Sequence, residues 1–413
     1  MPSPASSWRS LLAAFAITSM VEGIGVSQVF ALLPALLSSM GVPDAERLSF
    51  VGLFSSLLFV LGMPLVPLWG VWADKYSRKA VIARSAVVEA VVFSGIALAR
   101  EPWQVALSML LIGFQLGNTG VMLAGIRDVA PRARLGTVIA LFGASGSAGF
   151  ALGPVIAGLL IDGAGWSIQM VFGLSAALSV GTALLVGLGT REIRPEVIPQ
   201  GRVLTLAFGA VRGVFADRAV RRIFVIYFAA FIANQISRPY LPVLVETIVG
   251  RGPGLASSIG LVSGTAALAG ALLSPIGGAL GDRIGFRRVL IGALGSGAIA
   301  LALMPLAAAF GGVVPLALAA VVLTLAIAGV GAMVFGLLAT DVPAERRSAT
   351  LNLVYLPLYA AGIIGPAIGG VVVHGGLPVP FLLGAATLAF AALAVALRAP
   401  ASRAPVSGAG IGR

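Results

Sequence analysis

Three ionisable side chains, Glu22, Glu89 and Arg238, stand inside long apolar runs of this 413-residue chain. A charged side chain in hydrocarbon costs at least about 2.5–3.5 kcal/mol on insertion scales, so each of the three demands a task. Glu22 falls near the middle of the run 10–37, where a carboxyl can take up and release a proton. A structural hydrogen bond or salt bridge is the alternative. Glu89, near the middle of the run 79–99, is expected to pair with neighbouring polar groups ahead of any part in proton coupling. Arg238, beside Pro239 in the run 221–249, has three readings: it holds an anionic group, pairs with Glu22, or snorkels to the membrane surface.

Other chemistries lack the residues they need. The chain has no Cys and one His, His374, which removes thiolate clusters, disulfides and haem attachment and leaves no basis for a metal site. Neither a cofactor nor a catalytic dyad is expected. His374, at the outer end of the run 347–373, reads as an interface residue. Neutral polar groups inside the runs are Gln28, Gln115, Asn118, Asn234, Gln235, Asn352, Tyr355 and Tyr359. Asn352, Tyr355 and Tyr359 share one helical face. Each of these groups either lines a cavity or bonds one helix to another.

The elements that must position these residues follow from composition. Hydrophobic residues make up 59 % of the chain, charged residues only 10 %, and the mean hydropathy is +1.05. A soluble protein carries about a quarter charged residues. A chain so short of charge cannot cover a water-facing surface, so its solvent is mostly lipid. Apolar runs long enough to span about 30 Å fall at 10–37, 48–72, 79–99, 103–126, 135–161, 166–189, 221–249, 255–281, 288–308, 313–339, 347–373 and 378–397.

Segment 190–220 is the longest polar interruption and reads as a linker between bundles 1–189 and 221–397. Its stretch 203–216 is mildly amphipathic and suited to the membrane surface. Residues 398–413 lack apolar periodicity and read as a disordered tail. Basic residues gather at Arg9, Lys75–Lys79, Arg127–Arg134, the linker, Arg283–Arg288, Arg346–Arg347 and the tail. Opposite stand only Arg47, Arg100 and Arg251. The positive-inside rule therefore places both termini and the linker in the cytoplasm. It also explains the net charge of +12 without nucleic acid. The use of 25 Arg against 2 Lys fits a GC-rich bacterial genome, hence an inner membrane.

The chain repeats itself. At an offset of 208, Ser49, Gly52, Gly62, Pro67, Gly70 and Asp74 meet Ser257, Gly260, Gly270, Pro275, Gly278 and Asp282. At an offset of 212, Pro131, Arg134 and Gly153-Pro154 meet Pro343, Arg346 and Gly365-Pro366. A register kept through loops and helices marks a duplicated six-helix unit. Both copies begin on the same side, so the repeats are parallel. A binding site is then expected at their interface near mid-membrane, reached alternately from either side as the halves rock.

Two strings carry a resemblance to a known family. Gly70-Val-Trp-Ala-Asp74-Lys75-Tyr-Ser77-Arg78-Lys79 follows the second run, and Gly278-Ala-Leu-Gly281-Asp282-Arg283-Ile-Gly285-Phe-Arg287 follows the eighth. Both resemble motif A of the major facilitator superfamily, and the resemblance covers essentially the whole chain. It implies an all-α integral membrane fold of 12 helices. It also implies a latch between the halves in the outward-facing state, with Asp128 as the acid expected to partner the motif's arginine. A topology determinant with a structural turn is the plainer reading. The strings Gly149-Phe-Ala-Leu-Gly153-Pro154-Val-Ile-Ala-Gly158 and Ala361-Gly-Ile-Ile-Gly365-Pro366-Ala-Ile-Gly369-Gly370 resemble motif C of the drug:proton antiporter branch. Physically they are small-residue ridges for close helix contact. In that branch acidic residues on the first helix serve as proton and cation-substrate sites, which falls on Glu22. Where the branch carries an arginine on helix four, this chain has Gly113.

The expected function is proton-coupled efflux of small amphipathic compounds by a single chain in the lipid bilayer. An uptake or metabolite carrier, for an anionic solute given Arg238, is the nearest rival. A membrane enzyme or a non-transporting sensor is the remote one. The substrate itself is not written in the sequence.

Overall fold

The computed structural model describes residues 4–195, 198–216, 218–341, 353 and 355–397, without the side chains at 4–7, 210, 214, 219, 274, 275, 278, 282 and 335–341. Every regular element among them is helical. Twelve helices are long and apolar enough to cross a membrane. They are α1 (Trp8–Ser39), α2 (Asp44–Lys75), α3 (Arg78–Leu98), α4 (Pro102–Val129), α5 (Arg132–Gly163), α6 (Ile168–Gly189), α7 (Val220–Val249), α8 (Leu255–Ile284), α9 (Phe286–Gly311), α10 (Val313–Val334), α11 (Leu356–Gly375) and α12 (Pro378–Leu397). Lipid offers backbone groups no partner, so each crossing must satisfy its own hydrogen bonds within the helix. The expected start of α11 and the tail 398–413 lie outside the described residues, as does Asn352.

The linker forms the helix Val203–Ala216, which packs against the Gly62–Lys75 part of α2. The linker marks one face of the bundle, here the linker face.

Small residues set how the helices meet, and the repeat is visible in the contacts. A Cβ at Gly149 or Gly153 of α5 would stand 2.1 Å from Met20 O or Ser27 Oγ of α1. In the second half, a Cβ at Gly365 or Gly369 of α11 would stand 2.7 Å from Gln235 Cβ or 2.6 Å from Ile236 O of α7. The same ridges also join the halves. Gly158 meets Ser257 and Gly260 meets Pro154, bringing α5 onto α8, while Gly52 meets Gly370, bringing α2 onto α11. Close backbone approach of this kind is what small-residue ridges supply in lipid.

Three crossings are broken where the sequence shows an unbroken apolar run. α2 changes segment at Leu61, between Asp44–Val60 and Gly62–Lys75. α4 passes through a 3-10 turn at Ile112–Phe114 and then Gly117, whose φ of 97° is open to glycine at little cost. α7 turns at Arg238–Tyr240, which contains Pro239 and is followed by Pro242, and neither proline has a backbone donor.

Candidate substrate cavity and proton site

The break in α7 aims Arg238 into a cavity of about 740 Å³ between the halves. Its walls come from α1, α5, α7, α8 and α10 with single residues of α9 and α12, and Arg238 is the one formal charge among the lining residues. Its guanidinium lies 4.1 Å over the Phe30 ring and 5.1 Å over the Phe150 ring, both from the first half. Its Nη1 donates to Gln235 Oε1 at 3.5 Å, the limit of a hydrogen bond. Among the described residues no carboxylate forms an ion pair with it, Glu22 included. Asn234, one turn earlier, lines the same cavity.

Glu22 turns elsewhere. Asn118 Nδ2 donates to its Oε2 at 2.9 Å, and Gln115 Nε2 donates to its Oε1. Both amides come from the broken stretch of α4. Arg84 of α3 reaches this stretch too: its Nη2 donates to the carbonyls of Gln115 and Leu116 at 3.4 Å, and its guanidinium stacks 3.7 Å over Trp69. An arginine thus attends this part of α4 although Gly113 holds the position where the family resemblance expects one. Glu89 is buried on α3, within electrostatic range of Glu22, and accepts from Ser179 Oγ at 3.4 Å.

The remaining polar residues divide. Gln28 is buried, donating to Gly153 O at 3.2 Å and accepting from Ser175 Oγ at 2.6 Å, so it ties α1 to α5 and α6. Tyr359 lies between Tyr355 and Phe59, tilted about 30° to each, with ring centroids 6.5 and 6.1 Å away.

On the linker face, Arg78 is buried between two carboxylates. Nε and Nη2 reach Asp74 Oδ1 at 2.8 Å, and Nη1 reaches Asp128 Oδ2 at 2.6 Å. Lys75 Nζ donates to Gly201 O at 2.5 Å and Lys79 Nζ to Thr190 O at 2.8 Å, both in or at the edge of the linker. All these bonds stay within the first half and the linker. A Cβ at Gly70 would meet nothing within 4 Å. The second copy is used differently: Arg287 donates to the carbonyls of Val395 and Ala396 at the end of α12, and Arg283 is exposed. The surroundings of Gly278 and the side chain of Asp282 lie outside the described residues.

Polar contacts that join the halves gather on the face opposite the linker. Arg47 of α2 grips Glu246 of α7 with two bonds of 2.8 Å. Arg251 extends the network to Glu246 at 2.6 Å and to Asp44 at 2.5 Å. Asp162 accepts from Ser257 N at 2.6 Å, and Ser49 Oγ stands 3.0 Å from His374 Nε2. This network was not anticipated from the sequence. The available signal was that Arg47 and Arg251, basic residues on the sparsely charged side, are matched there by Asp44, Glu246 and Asp162.

Two halves of six membrane-length helices, in contact at one face and parted by a cavity with a single charge among its lining residues, have the architecture of a membrane transporter. The chain belongs to the Major Facilitator Superfamily, whose model matches residues 11–257 and 223–411. It is 28 % identical over 288 residues to the multidrug resistance protein MdtG of Enterobacter lignolyticus, covering 70 % of this chain and 68 % of that one. To the MdtG of Salmonella paratyphi A it is 30 % identical over 292 residues, covering 70 % of each. Among solved structures it superposes on the nucleoside transporter NupG with a TM-score of 0.75, covering 94 % of this chain and 100 % of that one at 18 % identity. A bacterial homologue of the lysosomal transporter Spinster, solved inward-facing and unoccupied, matches with a TM-score of 0.70 at 15 % identity, covering 94 % and 95 %.

Proposed function

We propose that the protein is a proton-coupled exporter of small amphipathic compounds, working by alternating access in a bacterial inner membrane. The linker face is cytoplasmic in this reading, and the structure is the state open toward the cytoplasm. The rocking bodies are residues 1–189 and 221–397, and one chain is the working unit. The multidrug relatives support export of amphipathic compounds.

One observation carries the proton coupling: Glu22, deep in the bundle, receives both of its described hydrogen bonds from the broken stretch of α4. Two amide donors suit a carboxylate. A proton on either oxygen places a donor there, so the facing amide must weaken its bond or turn its own oxygen to the new O–H. That change acts on a helix already interrupted at Ile112–Phe114 and Gly117, and so alters how α1 and α4 sit together. Binding of proton and substrate in turn then couples the two fluxes. Glu89, which also borders Gln115, serves as the second proton group of the cluster.

The test uses everted vesicles with an acid interior and a panel of amphipathic fluorescent probes. Glu22→Gln keeps one oxygen acceptor and presents an amide donor where the other oxygen stood, so it mimics the protonated carboxyl and cannot titrate. Gradient-driven uptake is therefore expected to disappear while probe-for-probe exchange persists. Vesicles of the variant that still accumulate probe under the gradient would remove Glu22 from the mechanism. The flux direction under the same gradient separates export from the uptake alternative that Arg238 suggests.

A further inference from the structure

The cavity and the proton site are separate places, and their charges are opposite. Glu22 faces α4, whereas the cavity wall carries Arg238 and no acid. Arg238 is held open-handed. Phe30 and Phe150 offer it their ring faces, which attract a cation but use none of its hydrogen-bond donors. Gln235 takes one donor at the limit of reach, which leaves the rest of the fork toward the cavity.

Most of the neighbouring hydroxyls are already committed. Ser27 donates to Ile24 O, Ser147 to Gly143 O, Ser237 to Ala233 O and Asn234 O, and Thr324 to Ala320 O. The donors left for a guest are therefore the Arg238 guanidinium and the Asn234 amide, four residues apart on one face of α7, and the Ser263 hydroxyl of α8. The rest of the wall is apolar, with Phe231 and Phe381 on the second-half side.

A cation fixed in a low-dielectric cavity without a counter-ion has strong need of an anion, and a planar fork beside an amide matches a carboxylate. We propose that this cavity takes amphipathic organic anions, with the carboxylate or an equivalent acid group on Arg238 and Asn234 and a ring-bearing apolar body along the phenylalanines. The volume suits a drug-sized guest. Cations of similar shape meet a like charge and are disfavoured. This inference rests on the transporter reading above and names the charge class of its substrate, whichever way the flux runs.

The experiment is equilibrium binding to the purified full-length chain in nanodiscs, read by fluorescence enhancement. Three probes share one ring system: dansylglycine (an acid), its methyl ester (neutral) and dansylcadaverine (an amine). The acid is expected to bind the unaltered chain about tenfold or more tightly than the ester, with the amine weakest. Arg238→Gln is expected to bring acid and ester to equal affinity. Equal binding of acid and ester by the unaltered chain, or preference for the amine, overturns the proposal without any variant. So does an Arg238→Gln protein that melts normally and keeps the acid preference. Because binding is read without a proton gradient, loss of charge preference with intact Glu22-dependent flux sinks this inference alone. A retained acid preference with flux indifferent to Glu22→Gln sinks the coupling alone.

Discussion

Gly149 and Gly70 both belong to glycine-bearing motifs, yet only Gly149 lacks room for a methyl group. A Cβ at Gly149 would stand 2.1 Å from the Met20 carbonyl oxygen and 2.8 Å from its carbon, so α1 must move as backbone to admit it. Overpacking a rigid site costs about 1–3 kcal/mol. Gly149→Ala is expected to lower the melting temperature in detergent by several degrees. Gly70→Ala, with nothing within 4 Å of the new methyl, should leave melting unchanged. In the proposed cycle its cost falls on the conformation in which the halves close on the linker face, so it should slow transport. Normal transport by Gly70→Ala, or normal melting of Gly149→Ala, would refute the corresponding half of this contrast.

At the scale of the element, α3 shows how a helix start is held by the linker. Ser77 caps it, donating its hydroxyl to Glu192, while Glu192 Oε1 accepts from Arg78 N at 2.9 Å and Lys79 N at 3.4 Å. Negative charge at this end is favoured by the exposed N–H groups and the helix dipole. Arg78, the next residue, closes α2 onto α4 through Asp74 and Asp128. Asp128→Asn leaves a buried guanidinium with one carboxylate instead of two, a loss of about 1.5–3 kcal/mol for a charged hydrogen bond. Melting of the purified protein should fall accordingly, and Arg78→Lys should not mimic the native value because a lysine cannot fork to two acids. An Asp128→Asn protein as stable as the native one would show that Asp74 alone suffices.

The apolar runs locate all twelve crossings because lipid demands uninterrupted hydropathy, and the fixed register of the repeat predicts the matching contacts of α5 on α1 and α11 on α7. The breaks in α2, α4 and α7 do not interrupt the apolar runs, and their marks in the sequence are the breaker residues Gly62, Gly117, Pro239 and Pro242. Ile112–Phe114 is as apolar as its surroundings, and the carbonyls freed near it are satisfied by Arg84 from another helix. Glu22 and Arg238 stand out in sequence as ions in hydrocarbon. Which way each points in this structure, where the two do not pair, follows from those same breaks.

At the scale of the whole molecule, the proposed alternating-access cycle gives the contacts on the face opposite the linker the task of setting which state is populated. Arg47 and Glu246 are 199 positions apart in sequence and meet here where α2 and α7 close on that face. With the halves parted there, water solvates both ions, so the bidentate pair contributes to the closed state alone. A ligand or a bond shifts such an equilibrium only by its differential contribution to the two states. For Glu246→Gln the loss includes one charge on which both Arg47 and Arg251 converge, about 1.5–3 kcal/mol, or about ten- to a hundredfold in the state ratio. The chain has no cysteine, so spin labels at Ala45→Cys and Gly252→Cys, exposed on either side of the seam, report its width without background. The closed-distance peak of the native sequence is expected to give way to a broader, longer one in Glu246→Gln. Arg251→Ala should shift it less, since Arg251 lies on the solvated rim where an ion pair contributes little. An unchanged distance distribution in Glu246→Gln would mean that the seam is held by the glycine contacts of Gly158 with Ser257 and Gly52 with Gly370, and that the charges only decorate it.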